Sequence, residues 1–170
     1  MNIGFLRFNN YLVLLLLLFG PGCQTIGKKK EASTLRLHVE VNPDGTEQNG
    51  PVPIGRGDSS FRVNVETKPF LKEGNIAEAW VVDALGGFQI MIHYDRKGTL
   101  LLEQYSTAYK GKRVAIFSQF GEARWVAAPI MTHRITAGTL VFTPDATREE
   151  AERIVKGLNN VAKEMQKGNR

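Results

Sequence analysis

IAEAWVVDALGGFQIMIHYDRKGTLLLEQYSTAYKG, residues 76–111, decides how the rest of the chain is read. Residues 76–83 and 88–95 are rich in Trp, Val, Ile, Phe and Tyr and flank Ala84-Leu85-Gly86-Gly87, which predicts an antiparallel hairpin. Asp95-Arg96-Lys97-Gly98 then breaks the sheet. In residues 99–109, Leu101, Leu102, Tyr105, Ala108 and Tyr109 recur at helical spacing before Gly111, predicting a helix of about three turns. Strand, turn, strand and helix in direct succession argue for an antiparallel sheet with helices packed on it.

The same grammar extends in both directions. Leu35, Leu37, Val39 and Val41 alternate with Arg36, His38 and Glu40, the pattern of a half-buried strand with the polar set facing outward. Asn42-Pro43-Asp44-Gly45 is turn chemistry, and residues 46–60, with Pro51, Pro53, Gly55 and Gly57, read as loop. Phe61, Val63 and Val65 resume the alternation, and residues 69–75 form a connection. Residues 113–120, 123–130 and 139–142 are three further strands. Thr147 with Glu150 forms a capping box, followed by an apolar stripe through Ala151, Ile154, Val155, Leu158, Val161, Ala162 and Met165. This predicts an amphipathic helix of about 20 residues. Gly157 inside it implies either a break or close packing, since glycine there costs about 1 kcal/mol relative to alanine. The expected class is α+β, a mainly antiparallel sheet packed with two helices, the second a long C-terminal amphipathic one.

Composition limits the chemistry. The 170 residues carry a net charge of +5, and Arg7 is the only charge among the first 22. The sole cysteine is Cys23, which excludes an intramolecular disulfide, a cysteine-based zinc site and an iron–sulfur site. No nucleophile elbow, Walker A sequence or dinucleotide fingerprint is present. His38, His93 and His133 are the only histidines; His93 and Asp95 share a strand face but form only half a metal site. Neither a cofactor nor a metal is expected. Arg56-Gly57-Asp58 reads as loop chemistry, and Glu149, Glu150 and Glu152 complement a helix N-terminus. Arg148, Arg153, Lys156, Lys163, Lys167 and Arg170 interleave with glutamates along the last helix, a solvated face rather than a nucleic-acid stripe. Trp80, Trp125, Phe88, Phe117 and Phe120 fit strand patterns and are expected in the core, any exposed one being a candidate contact.

The N-terminus is an address. Arg7, an apolar run over residues 11–19 and Gly20-Pro21-Gly22-Cys23 have the layout of a signal peptide. A cysteine directly after small residues resembles the lipobox of bacterial lipoproteins, although Gly20 stands where that family usually carries Leu. The resemblance implies a leader over residues 1–22, acylation of Cys23, and a lipid anchor to a membrane facing the periplasm. Gln24, where inner-membrane retention signals often place Asp, favours the outer membrane. The alternatives are an ordinary signal peptide or an uncleaved anchor with a free thiol. Residues 23–33 form a polar tether whose Lys28, Lys29 and Lys30 either touch anionic headgroups or keep the linker solvated. One domain is expected over residues 34–167.

The order of signals over residues 61–159 is also familiar. Gly74 before a strand, residues 88–94 leading to Asp95 and Gly98, Thr107 late in a helix, and Gly111-Lys112 before Val114-Ala115-Ile116 open the series. Ala128-Pro129-Ile130, Gly138, and Glu150-Ala151 opening a helix with Leu158 complete it. Together they resemble the head subdomain of the first periplasmic domain of SecD and SecDF, the export accessory proteins. The resemblance implies an α+β fold and a module that contacts polypeptide emerging at the outer face of a membrane. The proton-using transmembrane helices of that family have no counterpart here, so a motor function does not carry over. The expected role is a non-catalytic, lipid-anchored module with a protein or polypeptide partner, linked to export. An enzyme with scattered site residues and a purely structural envelope lipoprotein are the alternatives.

Overall fold

The structure, a computed structural model, describes residues 30–56 and 60–168. Cys23, Lys28, Lys29, Gly57, Asp58 and Arg170 lie outside the described residues. The elements in chain order are β1 (Thr34–Val39), β2 (Asn49–Ile54), β3 (Phe61–Glu66), β4 (Ile76–Ala84), β5 (Gly87–Tyr94), α1 (Arg96–Ala108), β6 (Val114–Gln119), β7 (Ala123–Ala127), β8 (Thr139–Phe142) and α2 (Arg148–Gly168). The class is α+β, every strand pair is antiparallel, and the second helix is the long C-terminal one.

The strands divide into three sheets, β1-β6-β7, β2-β3 and β4-β5-β8. The hairpin read from residues 76–95 is present as β4 and β5, with Ala84 opposite Gly87 and Leu85-Gly86 at its tip. Leu35, Leu37, Val39, Ile90, Ile92, Leu102, Val114, Ile116, Ile154 and Leu158 bring both three-stranded sheets and both helices into one core. Each of these large aliphatic side chains contributes roughly 1.5–3 kcal/mol by leaving water.

Three local expectations are corrected. Residues 49–54, read as loop because of Pro51 and Pro53, form β2, which pairs only with β3. The two prolines lie two residues apart, on the same side of the ladder, where an edge strand tolerates a missing donor. Asp95 to Gly98, read as a break, starts α1: the Asp95 carboxylate accepts the Gly98 N–H at 2.6 Å, an N-cap. His38, placed on the outer face of β1, is buried under the β2–β3 hairpin, whose Ile54, Val63 and Val65 build a second core with Ala115 and the half-buried Trp125. Its Nδ1 lies 2.8 Å from the Glu66 carbonyl and its ring meets Trp125 edge-on. A carbonyl only accepts, so Nδ1 carries the proton. Burial pushes the imidazole below its usual range, and the Glu66 carbonyl opposes that only partly.

Of the two readings of Gly157, close packing is the observed one. A Cβ there would meet Ser33 Oγ at 2.1 Å and the Ser33 backbone nitrogen at 2.6 Å, so the chain entering β1 lies directly on α2. The capping box is reciprocal, with the Thr147 N–H donating to Glu150 Oε2 at 2.8 Å and the Glu150 N–H to Thr147 Oγ1 at 3.2 Å.

Candidate functional site

Strand edges carry unpaired backbone groups that must be covered, charged or used. The edge of β4 is covered by α2: Asn159 Nδ2 donates to the Ala79 carbonyl and the Ala79 N–H donates to Asn159 Oδ1, both at 2.9 Å. An amide side chain there stands in for a neighbouring strand. The outer edge of β1 is met by Phe70 and Leu71, with the Leu37 N–H donating to the Leu71 carbonyl at 3.0 Å and the Phe70 N–H to the Leu37 carbonyl at 2.9 Å. β2 carries its prolines. β7 and β8, each the outer strand of its sheet, both line one cleft.

The two strands converge where the Asp145 N–H donates to the Val126 carbonyl at 2.6 Å and diverge toward residues 129 and 141. Between them lies a hollow of about 540 Å³, floored by Ile54, Val126, Ala127 and Phe142. A second one of about 270 Å³ shares Pro129 and Val141 with it. Alternation in β8 turns Leu140 and Phe142 into the core and leaves Val141 42% exposed at the cleft. Ile130 (49%) and Phe61 (45%) complete an apolar rim. The Arg113 guanidinium lies 5.2 Å from the centre of the Phe61 ring and donates to the Ala128 carbonyl at 3.1 Å, which fixes the aromatic wall.

The narrow end is pinned by charge. Arg124 on β7 meets Glu150 at 3.0 Å and Glu122 at 3.5 Å, and its Nη1 donates to the Asp145 carbonyl. Arg56, at the end of β2, reaches Glu150 at 2.5 Å. Burial alone raises the Glu150 carboxyl, but the Thr147 amide, Arg56 and Arg124 outweigh it and hold it below the usual carboxylate range. Glu150 thus ties β2, β7 and α2 together while completing its own helix cap.

The other candidate residues are spread out. His93 is exposed, its Nδ1 lying 3.2 Å from Thr139 Oγ1, while Asp95 is spent on the α1 cap. His133 is exposed beside Thr132. Among the described residues no three His, Cys, Asp or Glu side chains come together as a metal-binding group. Phe120 is buried, whereas Trp80, Phe88, Phe117 and Trp125 are half-buried against their own sheets. A polar hollow of about 580 Å³ beside Asn42 and Glu66 is walled by the turn at Asp44, whose carboxylate is occupied by Thr46 and Asn49.

Antiparallel sheets around a mixed core, with two outer strands lining a cleft beside an aromatic wall, define an α+β module. No family model and no curated protein sequence matches the chain. Its fold resembles that of a domain of SecDF. It matches the structure of "a membrane component SecDF that enhances protein export" at 18% identity with a TM-score of 0.55, covering 94% of this chain and 71% of that one. SecDF in a super-membrane-facing form matches at 15% identity, covering 89% of this chain and 32% of that one, with a TM-score of 0.49. SecDF of Thermus thermophilus, "a translocon-associated membrane protein", matches at 15% identity, covering 91% and 33%, with a TM-score of 0.42. The first of these matches covers more of the chain than residues 61–159, and the chain spans about a third of the two longer SecDF chains. Among the described residues no helix is long and apolar enough to cross a membrane.

Proposed function

We propose that this chain is a lipid-anchored, extracytoplasmic module that holds polypeptide segments in extended form, as an accessory to protein export, without chemical turnover. The observation that carries this reading is the cleft between β7 and β8. β8 is the outer strand of its sheet, and an edge of this kind is complementary to another extended peptide backbone, while Phe61, Ile130 and Val141 offer apolar contacts for alternate side chains. The likeness to SecDF supports the link to export. The lipobox-like Cys23, followed by Gln24, supplies the anchor at the periplasmic face of a membrane, with the outer membrane favoured, and the domain over residues 34–167 projects from it.

The test uses the purified chain and a fluorescent unfolded polypeptide. Val141→Lys and Ile130→Lys place charges on the rim and should weaken binding at least tenfold, about 1.4 kcal/mol, with the unfolding temperature unchanged. Binding that survives both substitutions, or reproducible hydrolytic turnover lost on mutating His93, Asp95 or His133, would overturn the reading.

A further inference from the structure

The ordered end of the tether is fastened to α2. Ser33 is buried in the notch over Gly157, with its hydroxyl 3.5 Å from the Arg153 carbonyl. Asn160 Nδ2 donates to the Glu31 carbonyl at 2.8 Å, and the Glu31 carboxylate meets Lys156 at 3.0 Å. Traced backwards from Ser33 to Glu31, the chain thus runs from Arg153 toward Asn160, in the direction of the C-terminal end of the helix.

Charge is separated along the same helix. Residues 148–154 carry three acids and two bases, whereas residues 155–168 carry Lys156, Lys163 and Lys167 against Glu164 alone. Lys163 and Lys167 lie one turn apart on the exposed face and have no ion-pair partner among the described residues. Lys30 leaves the domain beside Glu31, and Lys28 and Lys29 precede it in sequence. At the other end of α2, Glu150 holds Arg56 at the narrow end of the cleft. The 21 residues between these ends span about 30 Å.

From this arrangement we infer that the C-terminal half of α2 docks on an anionic lipid surface, so that the helix is a strut holding the β7–β8 cleft on the side away from the membrane. The inference rests on the reading of Cys23 as the acylated anchor. Six residues separate Cys23 from Lys30, and the seven steps between their Cα atoms reach at most about 25 Å when extended. Past Asn160 the helix continues for only about 12 Å, so Lys163 and Lys167 fall within the span of the tether. Charges count only within a Debye length of about 8 Å from the headgroups, and the tether is short enough to bring them there. Each lysine at such a surface multiplies its occupancy roughly fivefold. Glu149, Glu150 and Glu152, at the far end, are repelled from it.

The test uses the full lipidated chain in vesicles carrying a headgroup-linked energy acceptor, with one donor dye on Gln166→Cys or on Arg62→Cys. In vesicles with about one-third phosphatidylglycerol, transfer from position 166 should exceed that from position 62 at least about threefold. The asymmetry should collapse on Lys163→Glu with Lys167→Glu, in 0.5 M salt, and in purely zwitterionic vesicles. Equal transfer from both positions, or an asymmetry indifferent to lipid charge, overturns the inference even if the chain floats with every vesicle. Failure of the chain to float with zwitterionic vesicles overturns the anchor reading instead, and the inference with it.

Discussion

Replacing Asn159 tests whether the edge of β4 is held by a side-chain amide. Asn159→Ala leaves the Ala79 N–H and C=O without the two 2.9 Å partners they now have, at a residue that is itself buried. Each lost bond costs about 1 kcal/mol net, and more where water cannot replace it, so the variant should lose roughly 2–4 kcal/mol. With a urea slope of about 2 kcal/mol per molar, the midpoint should fall by about 1–2 M. Asn159→Asp adds a diagnostic: its carboxylate still accepts from the Ala79 N–H but faces the Ala79 carbonyl, whereas the protonated acid can donate to it. Relative to wild type at the same pH, that variant should be weaker than Asn159→Ala at pH 8 and regain ground as the pH falls toward 4. An alanine variant within 0.3 M of the wild-type midpoint, or an aspartate variant with no such recovery, would refute the reasoning.

Gly157→Ala should destabilise although alanine is the better helix former by about 1 kcal/mol, because its Cβ would collide with Ser33; a net loss of about 1–2 kcal/mol is expected, and a raised unfolding temperature would contradict it. The depressed pKa of His38 means that the unfolded chain binds its proton more tightly, so this residue's contribution is complete above pH 6.5 and is lost as the pH falls below that value. Urea titrations from pH 8 to 5 should therefore show a slope, at most about 1.4 kcal/mol per pH unit from one proton, that Asn64 and Glu66 variants leave in place and His38→Gln removes. Tyr94 is buried and its hydroxyl has no partner among the described residues, so Tyr94→Phe should be neutral or stabilising by about 1 kcal/mol, and a loss of more than that in thermal unfolding would contradict this.

What the sequence disclosed depended on how local each determinant is. The β4–β5 hairpin is written in alternation around a short glycine turn, and the start of α2 in the spacing of Thr147 and Glu150. Neither needs a distant partner. β2 was hidden by Pro51 and Pro53, whose tolerance follows from an edge position that only tertiary structure assigns. The start of α1 was hidden because Asp95 and Gly98 are turn residues by type and a helix cap by geometry. His38 looked solvent-facing because alternation reports the two faces of a strand, not whether a hairpin covers the second one.

The cleft was the least legible feature. Val141 could be placed on the outer face of its strand from the pattern Thr139-Leu140-Val141-Phe142, but nothing local sets β8 opposite β7. Phe61 and Arg113, 52 residues apart in sequence, meet only in the fold. Gly138 left one trace, since it is a resemblance-bearing glycine whose φ of +67° and contact with Thr99 explain why the chain can turn into β8 there.

The central claim is that the β7–β8 cleft receives extended polypeptide. A photo-activatable amino acid at Val141, with Thr67 as an exposed control position remote from the cleft, tests it in the native envelope. Crosslinks are expected from position 141 to polypeptides in transit across the membrane, absent from position 67 and lost when export is blocked. Equal crosslinking from both positions, or none from position 141 while export proceeds, would contradict it.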